Sequence, residues 1–165
     1  MSNKPTKILA AASTPDPYAA RATRCVSDKF WRWGDDNLLP EALALMSRRS
    51  TTHRRIINDK ADYIAGKGVT FDDAIPQLRH LANHANGNGE SLRGVISRLA
   101  MDMAMFGNAF MEVVTDAQRS FLSLYHVDAS TCRLARDSEH VVMHHDWSQF
   151  RSGEATTLPL YPNFE

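Results

Sequence analysis

The 165-residue sequence has little cysteine, no net charge and no long hydrophobic run. Its two cysteines, Cys25 and Cys132, are far apart in the chain, so they predict neither a disulfide framework nor a zinc motif, and they favour a reducing compartment. No apolar segment approaches the ~18–20 residues that a membrane span requires. The short apolar run at 8–12 is followed by Pro15 and is not typical of a secretory signal peptide. We therefore expect no membrane partner and no export signal.

Opposite charges are balanced in number but not in position. The first 60 residues carry 11 Lys and Arg against 6 Asp and Glu, whereas the remaining residues carry 8 against 13. A protein that coats nucleic acid by neutralising phosphates is normally basic overall, and this chain is not. Its first third can still present a basic face to phosphate, or to an acidic surface on a neighbouring subunit.

Three segments differ in pattern. Residues 1–30 mix proline with small polar residues and have no helical or strand period, so they predict an extended or disordered arm. Residues 31–150 carry regular periodicity and predict the folded domain. Residues 151–165 are predicted to be the tail of a longer chain, because the apolar and aromatic side chains near Glu165 have nothing after them to contact.

The helical signals come first. Gly34-Asp35-Asp36-Asn37 is a turn sequence, and helices are expected at about 40–49 and 51–65, the second capped by Ser50 and ended by Gly66. Val69–Phe71 is a short strand candidate, and Pro76 begins a third helix. The clearest helix is 90–106, because its large apolar residues repeat at helical spacing along one face. That stripe consists of Leu92, Val95, Ile96, Leu99, Met103 and Phe106.

The period changes to two after this helix. Strands are expected at 109–114, 121–127, 131–134 and 140–144, separated by short polar breaks. Short connections between successive strands favour an antiparallel meander. The predicted fold is therefore α+β, with short helices and one long amphipathic helix packed on the meander.

Candidate catalytic and metal-binding groups are few. Asp35 and Asp36 lie at a helix entrance, where capping explains them, and the Asn-Gly-Asn-Gly loop at 86–89 lacks the Lys-Ser/Thr of a phosphate-binding loop. Two histidine groups have incomplete ligand sets or a spacing too wide for one ion. We therefore predict no enzyme, no cofactor and no metal site. The histidine groups are His140, His144 and Asp146 on one face of a predicted strand, and His80 and His84, with His53 nearby, in the third helix.

The densest charge feature is a basic corner formed by Arg48, Arg49, Arg54 and Arg55. The first two end one predicted helix and the other two begin the next, so the four are expected to crowd one helix–helix corner. Like charges so close together repel each other unless an acidic partner or polyanion is near. A partner-facing or nucleic-acid-facing role is one interpretation; ordinary solvated surface charge is the other.

Three stretches occur in a recognisable order. They are WGDDNLLPEALALMSRRSTTHRRIINDKADYIAGKGV (33–69), GESLRGVISRLAMDMAMFGNAFMEVV (89–114) and LSLYHVDASTCRLAR (122–136). Together they resemble the amino-terminal part of tailed-bacteriophage portal proteins. Members of that family are several times longer and continue into a stem, a clip and a crown. The resemblance therefore implies a truncated product or fragment that corresponds to the beginning of the wing region.

The resemblance also implies a function and partners. A portal protein forms a homo-oligomeric ring at one capsid vertex, through which DNA is packaged and ejected, and it belongs to the virion after assembly in the host cytoplasm. Its partners are terminase, capsid and head-completion proteins, and passing double-stranded DNA. The alternative is a small nucleic-acid or protein binding module that uses the basic corner. We expect a folded but association-prone piece whose exposed side chains are Trp31, Trp33, Leu158, Leu160, Tyr161 and Phe164.

Overall fold

A computed structural model describes residues 22–160, apart from 28, 71, 73 and 116–120. This part of the chain contains both helices and antiparallel strands, which confirms the α+β class. None of its helices has the length and apolar character needed to cross a bilayer. The helices are α1 Leu39–Arg49, α2 Thr51–Ala65, α3 Pro76–Asn83 and α4 Leu92–Phe106. The strands are β1 Ala22–Ser27, β2 Phe30–Trp33, β3 Phe110–Thr115, β4 Phe121–Val127, β5 Cys132–Leu134, β6 His140–Met143 and β7 Thr156–Pro159.

The described strands form three small antiparallel sheets rather than one meander. β1 pairs with β2, β3 with β4, and β6 lies between β5 and β7. β4 and β5 are separated by a 3₁₀ turn at Ala129–Thr131. The Asp128 carboxylate accepts a hydrogen bond from the Ser130 amide at 2.8 Å and so fixes this turn. The polar segment predicted between these two strands therefore separates the β3–β4 sheet from the β5–β6–β7 sheet.

The ends of the predicted domain look different in the structure. β1 occupies part of the segment predicted as an arm, and β7 occupies part of the segment predicted as a tail. Val69 and Thr70 are not in a strand, contrary to the sequence prediction, because they follow the Gly66–Gly68 turn without a pairing partner. Phe71, the arm before Ala22 and residues 161–165 lie outside the described residues.

Helices α2 and α4 pack on each other, and α4 also contacts β4. The Ser50 hydroxyl accepts a hydrogen bond from the His53 amide at 3.2 Å, so the predicted cap begins α2. Ile57 and Ala61 of α2 are buried, whereas the other two isoleucines of this helix, Ile56 and Ile64, are 49% and 54% exposed. The packing of α2 therefore covers only part of its apolar side chains.

The face of α4 is more polar than its sequence stripe suggested. Val95 and Ala100 are buried, but Met103 is 46% exposed. Asp102 is buried on this helix, only 7% exposed, beside residues expected to be apolar. A carboxylate in such a place must have hydrogen-bond partners, and these partners lie at the candidate site described next.

An aromatic cluster forms the core around β2 and β6. The Phe30 ring lies 5.0 Å from those of both Trp147 and Phe150, edge to face. Ala135 and Val142 complete the buried part of this cluster. β5 contacts β2 beside this cluster. Arg133 on β5 therefore lies within hydrogen-bond distance of the turn at 34–37.

Candidate functional site: a basic cleft and two buried polar anchors

The four arginines of the predicted basic corner do not all face the same cleft. All four arginines are exposed, but only Arg48 and Arg54 line a common cleft. Arg55 is directed elsewhere and forms an ion pair with Asp59 one helical turn later, at 3.1 Å. Arg49 does not line the cleft either. The junction of α1 and α2 therefore presents a pair of arginines to the cleft, not a patch of four.

The cleft has a volume of about 390 Å³, within the ~300–1,000 Å³ of typical ligand sites. The end of α1 and the first half of α2 form one wall, and the second half of α4 faces them. The 3₁₀ turn after β4 closes the remaining side. The lining residues are Ala44, Ser47, Arg48, Arg54, Asn58, Met101, Asp102, Met105, Phe106, Asp128 and Ser130.

The charged groups of the cleft are not neutralised by each other. Within the described part of the chain, the guanidinium groups of Arg48 and Arg54 make neither a hydrogen bond nor an ion pair. The two acidic residues are already engaged, Asp128 with the Ser130 amide and Asp102 with the Ala129 amide. The cleft therefore has two guanidinium groups without partners on one wall, and two methionines and a phenylalanine of α4 on the opposite wall.

Asp102 is the first buried polar anchor. One of its carboxylate oxygens, Oδ2, lies 2.8 Å from His126 Nε2 and accepts a hydrogen bond from the Ala129 amide at 2.9 Å. Both side chains of the pair are nearly buried, at 10% and 13% exposure. These bonds connect α4 to β4 and to the 3₁₀ turn. The pair resembles the base and orienting acid of a catalytic triad, but among the described residues no hydroxyl or thiol is hydrogen-bonded to His126, so it acts here as a connector.

Arg133 on β5 is the second anchor, and its side chain is fully buried. Its Nε donates to Asn37 Oδ1 at 2.6 Å and its Nη2 donates to the Asn37 carbonyl at 2.7 Å. Its Nη1 donates to the carbonyls of Ser130 and Cys132, both at 2.8 Å. The guanidinium also lies 4.5 Å from the ring centroid of Trp147, a cation–π distance.

Asn37 can receive these bonds because the turn is tightly bent. Both Gly34 and Asn37 have positive φ, 84° and 63°, and asparagine tolerates this region better than most side chains. The Asp36 carboxylate accepts from the Leu38 amide at 3.0 Å and stabilises the turn. It does not cap α1 itself, whose first residue follows Leu38 and has no side-chain cap. The helix-capping role predicted for Asp35 and Asp36 is therefore wrong: the Asp36 carboxylate stabilises the turn before the helix instead.

Burial changes the electrostatics around Arg133. Loss of solvent lowers the pKa of its guanidinium to about 10, while the negative charge of Glu41 opposes that shift. Glu41 Oε1 is 3.8 Å from Arg133 Nη2. Burial raises the pKa of the Glu41 carboxyl above its ordinary value, and the attraction of Arg133 partly offsets this. Arg133 remains a cation at neutral pH, so the fold contains a buried charge held mainly by neutral acceptors.

The histidine groups considered from the sequence have separate structural roles. β6 ends at Met143, so His144 is beyond the strand and does not share a strand face with His140. His140 Nδ1 lies 2.8 Å from Asp137, whereas His144 packs against Trp147 and Phe150. His80 and His84 have ring centroids 5.2 Å apart. In the described ranges no three His, Cys, Asp or Glu side chains are grouped in a way that holds a metal ion.

Comparison with known proteins adds no relative: no protein-family model matches the chain, and no curated protein matches it. The assignment of a function therefore depends on the sequence stretches and on the geometry described above.

Sequence reasoning found Arg48 and Arg54 but missed the residues that complete the site. Asp102 had a visible signal, since it is a lone carboxylate within the otherwise apolar run 99–106. Arg133 had a weaker sequence signal, which is its position in a short predicted strand of alternating polar and apolar residues. Their partners Asn37, His126 and Ala129 are distant in sequence, and no local pattern identifies such pairs.

Proposed function

We propose that this chain is the amino-terminal wing portion of a tailed-phage portal protein, which in full length forms a ring at one capsid vertex. DNA passes through that ring during packaging and ejection, so the role of the chain is mechanical and no covalent bond is made or broken. The proposed partners are further copies of the chain, terminase, capsid and head-completion proteins, and double-stranded DNA bound without sequence preference. The proposed location is the virion.

One observation supports this proposal most. The three stretches that carry the resemblance are joined to one another by buried hydrogen bonds. Arg133 in the third stretch donates to Asn37 in the first, and Asp102 in the second contacts His126 and Ala129 in the third. The three stretches therefore belong to one folded unit, as their resemblance to a single region of one protein family implies.

The surface of α2 gives further support to an assembling protein. Tyr63 is 91% exposed, and Ile56 and Ile64 on the same flank of the helix are about half exposed. Contiguous exposed apolar side chains commonly mark a protein–protein contact. The side chains expected to be exposed were different ones: Trp31, Trp33, Leu158 and Leu160 are half-buried, and Tyr161 and Phe164 lie outside the described residues.

Electron microscopy tests the proposal. The protein expressed from its intact gene is expected to form rings with a central hole in negatively stained images. The 165-residue chain alone serves as the comparison, and we expect it to associate into particles of mixed size. A compact, monodisperse monomer from the intact gene, with no ring at any concentration, would contradict the proposal.

The alternative is a binding module that uses the basic corner on nucleic acid, and the unpaired state of Arg48 and Arg54 favours some anionic partner. Salt dependence separates the two functions. Affinity from several phosphate contacts falls by orders of magnitude between ~50 and ~200 mM salt. A contact within a protein ring requires the partner subunit instead. Titration of the chain with duplex DNA over this salt range distinguishes them.

A further inference from the structure

We infer that the cleft between α1, α2 and α4 is a recognition site for a carboxylate side chain adjacent to an apolar side chain, presented by a segment of a partner protein. The inference depends on the side chains of the cleft alone. It does not depend on the proposal that the protein forms a ring. The ring proposal likewise does not depend on whether the cleft binds a ligand.

The cationic part of the argument comes from Arg48 and Arg54. These two arginines line the same cleft, and their guanidinium groups have no hydrogen-bond or ion-pair partner in the part of the chain that the structure describes. Arginine binds carboxylates through two parallel N–H···O bonds, and such charge-assisted bonds are stronger than neutral ones. Ser47 and Asn58 line the same side of the cleft and add polar groups that can orient a ligand.

The apolar part of the argument comes from the opposite wall. Met101, Met105 and Phe106 of α4 line the cleft, and Ala44 of α1 faces them. Methionine adapts its shape to different apolar ligands, and it is common at surfaces that bind protein segments. A simple inorganic anion makes no use of this wall, whereas an acidic residue with an aliphatic or aromatic neighbour uses both halves of the site.

The acidic residues of the cleft argue against nucleic acid as the ligand. Asp102 and Asp128 both line it, and their carboxylates are fixed by backbone amides within the turn that follows β4. A nucleic-acid backbone that follows this surface places many negatively charged phosphates close to these two carboxylates. A single ligand carboxylate between the two guanidinium groups places only one negative charge there.

The test uses three N-acetyl dipeptide amides that differ in one feature each: Phe-Glu, Phe-Gln and Ala-Glu. Binding to the full 165-residue chain is followed by the NMR signals of the arginine Nε–H groups. We expect Phe-Glu to shift the signals of Arg48 and Arg54 with saturation. We expect Phe-Gln and Ala-Glu to bind about tenfold more weakly, because each lacks one half of the recognised group and ~1.4 kcal/mol corresponds to a factor of ten.

Variants locate the effect. The double variant Arg48→Gln/Arg54→Gln is expected to lose Phe-Glu binding by at least about tenfold. Arg49→Gln is the control, since it removes one exposed arginine that is adjacent to Arg48 but does not line the cleft, and it is expected to bind like the parent. Both are surface changes, and an unchanged urea midpoint confirms that they are folded.

Three results would overturn the inference. The first is equal binding of Phe-Glu and Phe-Gln. The second is an equal loss in Arg49→Gln and the double variant, which indicates nonspecific charge attraction. The third is a duplex of about 20 base pairs that shifts the Arg48 and Arg54 signals at lower concentration than Phe-Glu, which indicates a phosphate-binding surface.

Discussion

Arg133 and the pair Arg48–Arg54 are the same residue type in opposite environments. Arg133 is fully buried and its guanidinium donates to four acceptors, which belong to Asn37, Ser130 and Cys132. Arg48 and Arg54 are exposed and have no such partner among the described residues. The first arrangement connects distant segments of the chain, and the second leaves hydrogen-bond donors available to another molecule.

The difference shows how to separate stability from recognition. Burying a cation costs several kcal/mol of desolvation, so removal of its partners leaves an uncompensated charge and disturbs the fold strongly. Removal of the cation itself is also costly, because its buried acceptors lose their donors. An exposed arginine contributes little to folding, usually under ~1 kcal/mol. Substitutions at the two places should therefore have opposite profiles, one in unfolding and the other in binding.

The largest effect is expected from Arg133→Met. The substitution keeps an unbranched apolar stem but removes four donated hydrogen bonds from Asn37 and from the carbonyls of Ser130 and Cys132. We expect a loss of ~3–5 kcal/mol in the free energy of unfolding, measured by urea denaturation.

Arg49→Met is the control, because it removes an exposed arginine with no partner in the described structure. Its expected change is within ~0.5 kcal/mol. If Arg133→Met also changed the free energy of unfolding by less than ~1 kcal/mol, the buried hydrogen-bond set would not be holding the turn at 34–37.

A second effect is expected at Asp102. Asp102→Ala leaves the Ala129 amide and the His126 ring without their acceptor, and it should cost ~1–3 kcal/mol. Asp102→Asn retains an oxygen for the amide and should cost less. Urea denaturation of both variants gives the ordering, and equal losses would mean that the carboxylate is replaceable by any small side chain.

The Cys132 thiol gives a smaller, pH-dependent effect. Burial raises its pKa to about 11. The thiol loses its proton near pH 9 in the unfolded chain but not in the folded one, so its contribution to stability is complete below pH 9 and declines as the pH rises towards 11. The test uses a Cys25→Ser background, so that Cys132 is the one remaining thiol. In the folded protein at pH 8, only about a thousandth of Cys132 is thiolate, so it should react with iodoacetamide far more slowly than the same thiol in the unfolded chain. Equal rates would contradict its burial.

The smallest effect on stability is expected on the apolar flank of α2. Tyr63→Ser and Ile64→Gln change side chains that are mostly exposed, so the free energy of unfolding should change by no more than ~0.5 kcal/mol. Association should nevertheless decrease, as measured by light scattering after size-exclusion chromatography. Unchanged association in the double variant would place the contact on another surface.

Much of the local structure was predictable because local signals determine it. Ser50 and Pro76 mark helix starts, and the change from helical to alternating period marks the position of β3. The separation of β3–β4 from β5–β6–β7 was not predictable, because it depends on the 3₁₀ turn held by Asp128. The bonds between Asp102 and His126 and between Arg133 and Asn37 were also missed, since they join residues that are 24 and 96 positions apart.

Hydrogen exchange of the arginine Nε–H groups tests the contrast between the two environments most directly. The Arg133 Nε–H donates to Asn37 Oδ1 at 2.6 Å inside the protein, whereas those of Arg48 and Arg54 are exposed to solvent. We predict a persistent Arg133 signal, with exchange slower by orders of magnitude than that of Arg48 and Arg54. An Arg133 signal that exchanges as fast as the other two would contradict the buried anchor and the separation of folding from recognition that follows from it.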